Sequence, residues 1–125
     1  MGLDQYLVAQ KVTHGDSPQE DSKVVEQIGY WRKHANLQGY MQNLAVEKGV
    51  VDNVDAFNCI DLTLSIDDIS KLVAAISMEE LPQTSGFFFG ASYGDRAEQE
   101  EDLIIFDEAA SYARMGWEIV YRCWW

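Results

Sequence analysis

The residue types that most often perform chemistry in proteins are few in this sequence and lie far apart. Its two histidines are His14 and His34, and its two cysteines are Cys59 and Cys123. None of these residues has the spacing of a metal-ligand cluster, so the sequence predicts no metal site and no cofactor. The first residues lack the basic and apolar regions of an export signal, which favours reduced thiols in the core over a disulfide.

Nucleophilic catalysis would need a serine or cysteine beside a base and an orienting acid. Ser85 and His34 could supply two of these groups if the fold brought them together. However, the segment Thr84-Ser85-Gly86-Phe87 lacks the glycine that stands two residues before the serine of a nucleophile elbow. Gly86 and Gly90 are not followed by Lys-Ser or Lys-Thr, so they do not form a phosphate-binding loop. The sequence therefore predicts no catalytic residue.

The densest group of reactive side chains is a run of acids near the C-terminus. Six acids lie within residues 98–108, namely Glu98, Glu100, Glu101, Asp102, Asp107 and Glu108. Clustered carboxylates can bind Mg²⁺ or Ca²⁺, but this spacing is not that of a calcium loop, and charge runs on helices typically face water. We expect an exposed acidic face that binds a partner through Glu98, Glu100, Glu101, Asp102 and Glu108.

One local run departs from the acidic background, Tyr30-Trp31-Arg32-Lys33-His34, at the predicted start of a helix. Basic side chains beside aromatic rings, near helix-terminal amides, can hold a phosphate, a carboxylate or a nucleotide base. Thr84 and Ser85 would then belong to the pocket wall. The alternative is that Tyr30 and Trp31 pack in the core while the charges are solvated or paired with acids. The sequence leaves both interpretations open.

Composition limits the classes of partner. The chain has 125 residues, of which 47% are hydrophobic and 12% aromatic, and this favours one folded domain covering residues 1–125. Nine basic residues against 21 acidic ones give a net charge of −12, which opposes direct binding of nucleic acid and favours a partner protein with a basic surface. No window approaches the roughly 20 apolar residues that span a bilayer, so we expect no membrane association.

The hydrophobic pattern assigns these residues to secondary-structure elements. Alternation with period two predicts strands, and apolar positions at helical spacing predict helices. The predicted strands are residues 3–13, 58–64, 86–90 and 117–125, and the predicted helices are residues 31–48, 65–78 and 97–115. Residues 14–21 are predicted to form a loop because they contain Gly-Asp-Ser-Pro. Residues 23–30 fit either a strand or the approach to a helix.

Local signals refine the helices and the last strand. Ser65 and Asp68 have the spacing of a capping box, and Gly116 is placed to end the third helix. The predicted inner faces are Ile66, Ile69, Val73 and Ile76 in the second helix and Leu103, Phe106, Ala110 and Ala113 in the third. Alternation places Trp124 and Trp125 on opposite sheet faces. The fold predicted from this order is a two-layer α+β domain, with about three helices packed on a mostly antiparallel sheet.

Four stretches of the sequence together resemble a family of small, uncharacterised proteins of tailed bacteriophages and prophages. They are MGLDQYL at residues 1–7, IGYWRK at residues 28–33, LPQTSGFFFG at residues 81–90 and the aromatic C-terminal strand. The resemblance implies a phage origin and a cytoplasmic site of action in the bacterial host. It implies no activity.

Two functions from different classes follow. In the first, the chain is a non-enzymatic inhibitor of a host nucleic-acid-handling defence complex, of the anti-CRISPR or anti-restriction type, and its carboxylates occupy a basic channel built for nucleic acid. In the second, it is a small-molecule or nucleotide binder, or an enzyme, with Arg32, Lys33 and His34 holding phosphates and residues 84–90 forming the pocket wall. The inhibitor would depend on the exposed acids, whereas the nucleotide binder would depend on the aromatic-basic run.

Overall fold

The computed structural model describes residues 2–13, 22–86, 90–91 and 95–125. The loop predicted at residues 14–21 and the three phenylalanines at residues 87–89 lie outside the described residues. The elements in chain order are β1 (Asp4–Thr13), β2 (Ser22–Arg32), α1 (Ala35–Glu47), a 3-10 turn (Val54–Phe57), β3 (Leu62–Leu64), α2 (Ile66–Ser77), β4 (Ser85–Gly86), β5 (Gly90–Ala91), α3 (Arg96–Arg114) and β6 (Glu118–Trp124).

Four of the strands form one antiparallel sheet in the order β2-β1-β6-β3, and β4 pairs with β5 in a separate two-stranded ladder. The central strands β1 and β6 align Leu7 with Tyr121 and Ala9 with Ile119, and all four residues are buried in the main core. The structure thus confirms the predicted α+β fold with a mostly antiparallel sheet and three helices. No helix in the described ranges is both long enough and apolar enough to cross a membrane.

Helices α2 and α3 follow their local sequence signals. The Ser65 hydroxyl accepts from the amide of Asp68, whose carboxylate accepts in turn from the amide of Ser65, so the predicted capping box is confirmed. In α3, Phe106 and Ala110 are buried, as predicted for its inner face. The prediction for Ile66 is wrong, because this first residue of α2 is 45% exposed.

The first helix begins later than its sequence pattern predicts. Trp31 was assigned to a helix but lies in β2, where it pairs with Gln5 of β1. Pairing with β1 continues to Arg32, and Lys33 then adopts a left-handed backbone with φ of 64°. His34 caps the helix that follows. Strand pairing therefore moves the start of the helix from the predicted residue 31 to Ala35.

Two further predictions need correction. The strand predicted at residues 58–64 is reduced to Leu62–Leu64, because a 3-10 turn and a left-handed Cys59 with φ of 63° occupy the chain before it. A single strand at residues 86–90 is also wrong. Gly86 pairs with Gly90 in an antiparallel ladder, so the two glycines lie opposite each other and not at the ends of one strand.

The two cysteines are free thiols in different environments. Cys123 is buried on β6, and burial raises the pKa of its thiol to about 11. Cys59 is exposed, so its predicted place in the core is wrong. The left-handed turn at Cys59 removes it from the strand in which alternation had placed it.

Candidate functional site

His34 lies at the junction between β2 and α1, where its side chain and its backbone are both held. Its Nδ1 atom accepts from the backbone amide of Leu37 at 3.4 Å, which makes His34 the N-cap of α1. The backbone amide of His34 donates to Gln5 Oε1 at 2.8 Å, and Gln5 Nε2 donates to the carbonyl of His34 at 3.1 Å. Only 3% of His34 is exposed. His34 is therefore fixed in the interior by α1, which contacts its ring, and by β1, which contacts its backbone.

The carboxylate of Asp102 lies against this ring. Asp102, in α3, is 2% exposed, and its Oδ2 atom is 2.6 Å from His34 Nε2. Its Oδ1 atom accepts from Trp31 Nε1 at 2.7 Å. Because Nδ1 of His34 already accepts a backbone proton, Nε2 carries the ring proton and donates to Asp102. The buried carboxylate thus receives two donors, which offsets much of the cost of removing its charge from water.

The network continues through the sheet. Gln5 Nε2 also donates to the Tyr121 hydroxyl at 2.7 Å, and this hydroxyl donates to Gln38 Oε1 at 2.5 Å. Burial raises the pKa of Tyr121 well above its ordinary value, with a smaller contribution from nearby Cys123. Tyr121 is therefore a neutral donor that links β6 to α1. This buried polar chain connects β1, β6 and α1 in the interior of the domain.

Two cavities meet at the His34–Asp102 pair. The first has a volume of about 220 Å³ and a polar wall that includes Asn36, Gln83 and Gln99. The second has a volume of about 320 Å³ and includes Arg32 and Lys33 in its wall. Among the residues that the structure describes, four line both cavities, namely His34, Asp95, Glu98 and Asp102. Carboxylates therefore dominate the region that the two cavities share.

The aromatic-basic run divides between the core and the surface. Trp31 is 8% exposed and stacks on Phe106 with ring centroids 5.6 Å apart, as the core interpretation expects. Tyr30 is 45% exposed and its hydroxyl donates to Asp4 Oδ1 at 2.7 Å. Arg32 and Lys33 are exposed. Of the five residues, only Trp31 and His34 have their side chains directed into the domain.

The segment predicted as a pocket wall packs against α1. The backbone amide of Thr84 donates to Asn36 Oδ1 at 2.9 Å, and the Thr84 hydroxyl donates to the carbonyl of Pro82 at 3.0 Å. Ser85 begins β4, but its side chain lies outside what the structure describes. The Thr84 amide thus fixes its segment to the helix, while the Thr84 hydroxyl holds the segment's own backbone.

The predicted acidic face loses two of its five members. Glu100, Glu101 and Glu108 are exposed, as is Asp107, which lies beside them on α3. Asp102 is buried, and Glu98 is half-buried with Oε1 3.7 Å from His34 Nε2. The reason is the period of the helix, because residues 98, 102, 106 and 110 follow one stripe, and Phe106 and Ala110 hold that stripe against the core.

The structure also brings together three metal-ligating side chains that sequence spacing did not connect. One ligand atom each from His34, Glu98 and Asp102 lies within 4.8 Å of the others. They come from the start of α1 and the first two turns of α3. The spacing of Asp102 four residues before Phe106 was a usable signal that this acid turns inward, but nothing local indicated that it meets His34.

Comparison with protein-family models, with curated proteins and with solved structures finds no match to this chain.

Proposed function

We propose that this protein is a non-enzymatic binding protein whose helix α3 docks on a basic surface of a partner protein. The observation that carries the proposal is the environment of Ile104, a large apolar side chain that is 69% exposed on the solvent side of α3. The residues three and four positions before and after it are the exposed acids Glu100, Glu101, Asp107 and Glu108. Helical geometry makes all four of them its surface neighbours.

The apolar part of this surface extends beyond one side chain. Ile104 and Asp107 line a shallow groove of about 290 Å³ together with Val73 of α2 and Leu103 of α3. An apolar centre ringed by charges is the usual arrangement of a binding hot spot, in which the apolar anchor supplies affinity and the charged rim supplies steering and specificity. The partner surface that fits is an apolar depression bordered by Lys and Arg.

Most carboxylates on this surface form no salt bridge within the described part of the chain. Lys48, Lys71, Arg96 and Arg122 each form a salt bridge with an acid, but only Arg96 does so on this face, with Glu100 at 3.1 Å. Within the described part of the chain, no cation pairs with Glu101, Asp107 or Glu108. These three carboxylates therefore remain available to contact cations of a partner.

The acidity of the chain indicates the class of partner protein. We infer a nucleic-acid-handling defence complex of a bacterial host, inhibited in the cytoplasm by a phage-encoded protein of the anti-CRISPR or anti-restriction type. The net charge of −12 supports it, because a channel that receives phosphates is lined with Lys and Arg and attracts an acidic protein in the same way. The resemblance to phage proteins supports the biological setting.

The alternative of a nucleotide-binding site has a weaker basis. Arg32 and Lys33 do line a cavity, but the same wall contains Asp95, Glu98 and Glu101. A phosphate placed there would meet several carboxylates, and their repulsion would cancel much of the attraction to the two cations. This charge arrangement favours the binding protein over the nucleotide binder.

The test compares two double variants with the same change of charge. Purified wild-type protein, Glu101→Lys/Glu108→Lys and the control Glu47→Lys/Glu80→Lys would be used to capture partners from host lysate and then to measure affinity for the captured complex. All four positions are exposed. We expect the α3 variant to lose binding and the control to retain most of it, because only the former places like charges across the interface. Equal binding by both variants would contradict the proposal. Loss of binding with Arg32→Ala/Lys33→Ala alone would favour the nucleotide site.

A further inference from the structure

We infer that His34, Glu98 and Asp102 form a binding site for a divalent transition-metal ion of the Zn²⁺ type. The inference is independent of the docking surface on α3, because none of the three ligands is among the acids that surround Ile104. It begins from the convergence of one imidazole nitrogen and two carboxylate oxygens within 4.8 Å. Such a mixed nitrogen and oxygen set suits Zn²⁺ better than Mg²⁺ or Ca²⁺, which prefer oxygen ligands alone.

The distances between the ligand atoms fit an ion after a small adjustment. Bonds of about 2.0–2.2 Å in tetrahedral geometry hold neighbouring ligand atoms about 3.3 Å apart. His34 Nε2 lies 2.6 Å from Asp102 Oδ2 and 3.7 Å from Glu98 Oε1, so the required separation falls between the two observed values. Nε2 of His34 must lose the proton that it donates to Asp102 before this nitrogen can ligate an ion. Metal binding would therefore release or relocate this proton.

The surroundings support the ligands. Trp31 Nε1 donates to Asp102 Oδ1, the oxygen that faces away from His34, and so orients the carboxylate. Ligand carboxylates in metal sites commonly receive such a second hydrogen bond. The three residues also lie where the two cavities meet, so an ion has a route of entry and room for a ligand from solvent. Two of the three ligands, His34 and Asp102, are almost fully buried, which keeps them oriented.

One existing contact must break when the ion binds, and this gives the site a signature. A neutral imidazole that ligates through Nε2 carries its proton on Nδ1. Nδ1 could then no longer accept from the amide of Leu37, a contact that is already long at 3.4 Å. We therefore expect the Leu37 amide to exchange its proton faster in the presence of the ion, while the protein as a whole becomes more resistant to heat. An ion on the outer surface would not affect this amide.

The experiment is a calorimetric titration of the full chain with Zn²⁺ in the presence of millimolar Mg²⁺, which occupies non-specific carboxylate sites. The variant is Glu98→Gln, because Glu98 is half-buried and its loss spares the His34–Asp102 hydrogen bond. The matched control is Glu108→Gln, which removes one carboxylate from an exposed position farther along the same helix, away from both cavities. We expect saturable binding by the wild type, an affinity at least about tenfold lower for Glu98→Gln, and no change for Glu108→Gln.

Three measurements could contradict the proposed metal site. Absence of saturable Zn²⁺ binding by the wild type, or equal affinity in Glu98→Gln and the wild type, would overturn the proposed site. A Leu37 amide whose exchange is unchanged or slowed by Zn²⁺ would exclude ligation through His34 Nε2. Melting of each variant without metal shows whether it is folded. If Glu98→Gln is unfolded, the Leu37 exchange of the wild type decides the question alone.

Discussion

At the scale of single residues, the buried carboxylate of Asp102 determines how this part of the domain is built. Its two donors come from different elements, Trp31 of β2 and His34 at the start of α1. A buried carboxylate that loses one of its donors destabilises the fold more than one that keeps both. Two members of the aromatic-basic run, Trp31 and His34, thus serve to satisfy one acid in α3.

We predict that Trp31→Phe lowers the free energy of unfolding by about 1–3 kcal/mol, the range for leaving a buried polar group with one partner fewer. Phenylalanine retains an aromatic ring to stack on Phe106 but cannot donate to Asp102. The matched control is Trp124→Phe, the same chemical change at a side chain that is 64% exposed, where we expect almost no effect. Urea unfolding followed by circular dichroism measures both. Equal stability of the two variants would show that the indole donor is dispensable.

At the scale of elements, α1 is positioned by contacts that its own sequence does not show. Gly39, inside this helix, is in close contact with Thr84 of the segment before β4, and a Cβ atom at position 39 would clash with the Thr84 hydroxyl and lie 2.9 Å from its Cβ. The glycine therefore permits close packing of that segment, although glycine normally weakens a helix.

We predict that Gly39→Ala destabilises the protein by about 1–3 kcal/mol, the range for overpacking a filled core. The sign of the change in stability is informative, because a Gly→Ala substitution in an unobstructed helix would stabilise the protein by up to about 1 kcal/mol. Thr84→Gly removes the atoms that would clash, so the double variant should recover part of the loss. Thermal melting of the two single variants and the double variant forms the required cycle. A stabilising Gly39→Ala would contradict the observed packing.

At the scale of the whole molecule, charge acts on stability as well as on binding. The salt bridges at Lys48, Lys71, Arg96 and Arg122 leave the acidic excess unchanged, because the net charge already counts every Lys and Arg. A net charge of −12 on 125 residues leaves a compact state that repels itself. Salt screens this repulsion over most of the surface, while it also weakens the exposed ion pairs. Because exposed pairs contribute little individually, the repulsion should dominate.

We predict that the melting temperature rises between low and physiological concentrations of NaCl. The charge-reversal variant Glu47→Lys/Glu80→Lys changes the net charge from −12 to −12 + 4 = −8, so its melting temperature should rise less over the same range. Differential scanning calorimetry with sucrose in place of salt separates screening from general solute effects. A melting temperature that falls with added NaCl would show that the ion pairs outweigh the repulsion.

The sequence by itself determined the features that depend on local interactions and on composition. The extents of α2 and α3, the Ser65–Asp68 capping box and the position of β6 are set by neighbours along the chain, and the sequence predicts all of them. The alternation predicted for β6 is interrupted at Val120, which is buried like its neighbours Ile119 and Tyr121. The α+β fold followed from the order of these elements. The net charge needed no structure at all.

Only the tertiary structure decided how Trp31, His34 and Asp102 are used. Pairing with β1 makes Trp31 and Arg32 part of a strand, although the sequence predicts that the helix begins at residue 31. Packing of α3 then directs Asp102 against a histidine 68 residues earlier in the chain, and no local pattern specifies a contact over that separation. Residues so far apart meet only when the sheet and the helices bury their apolar faces together, so the candidate metal site is a product of packing and not of spacing.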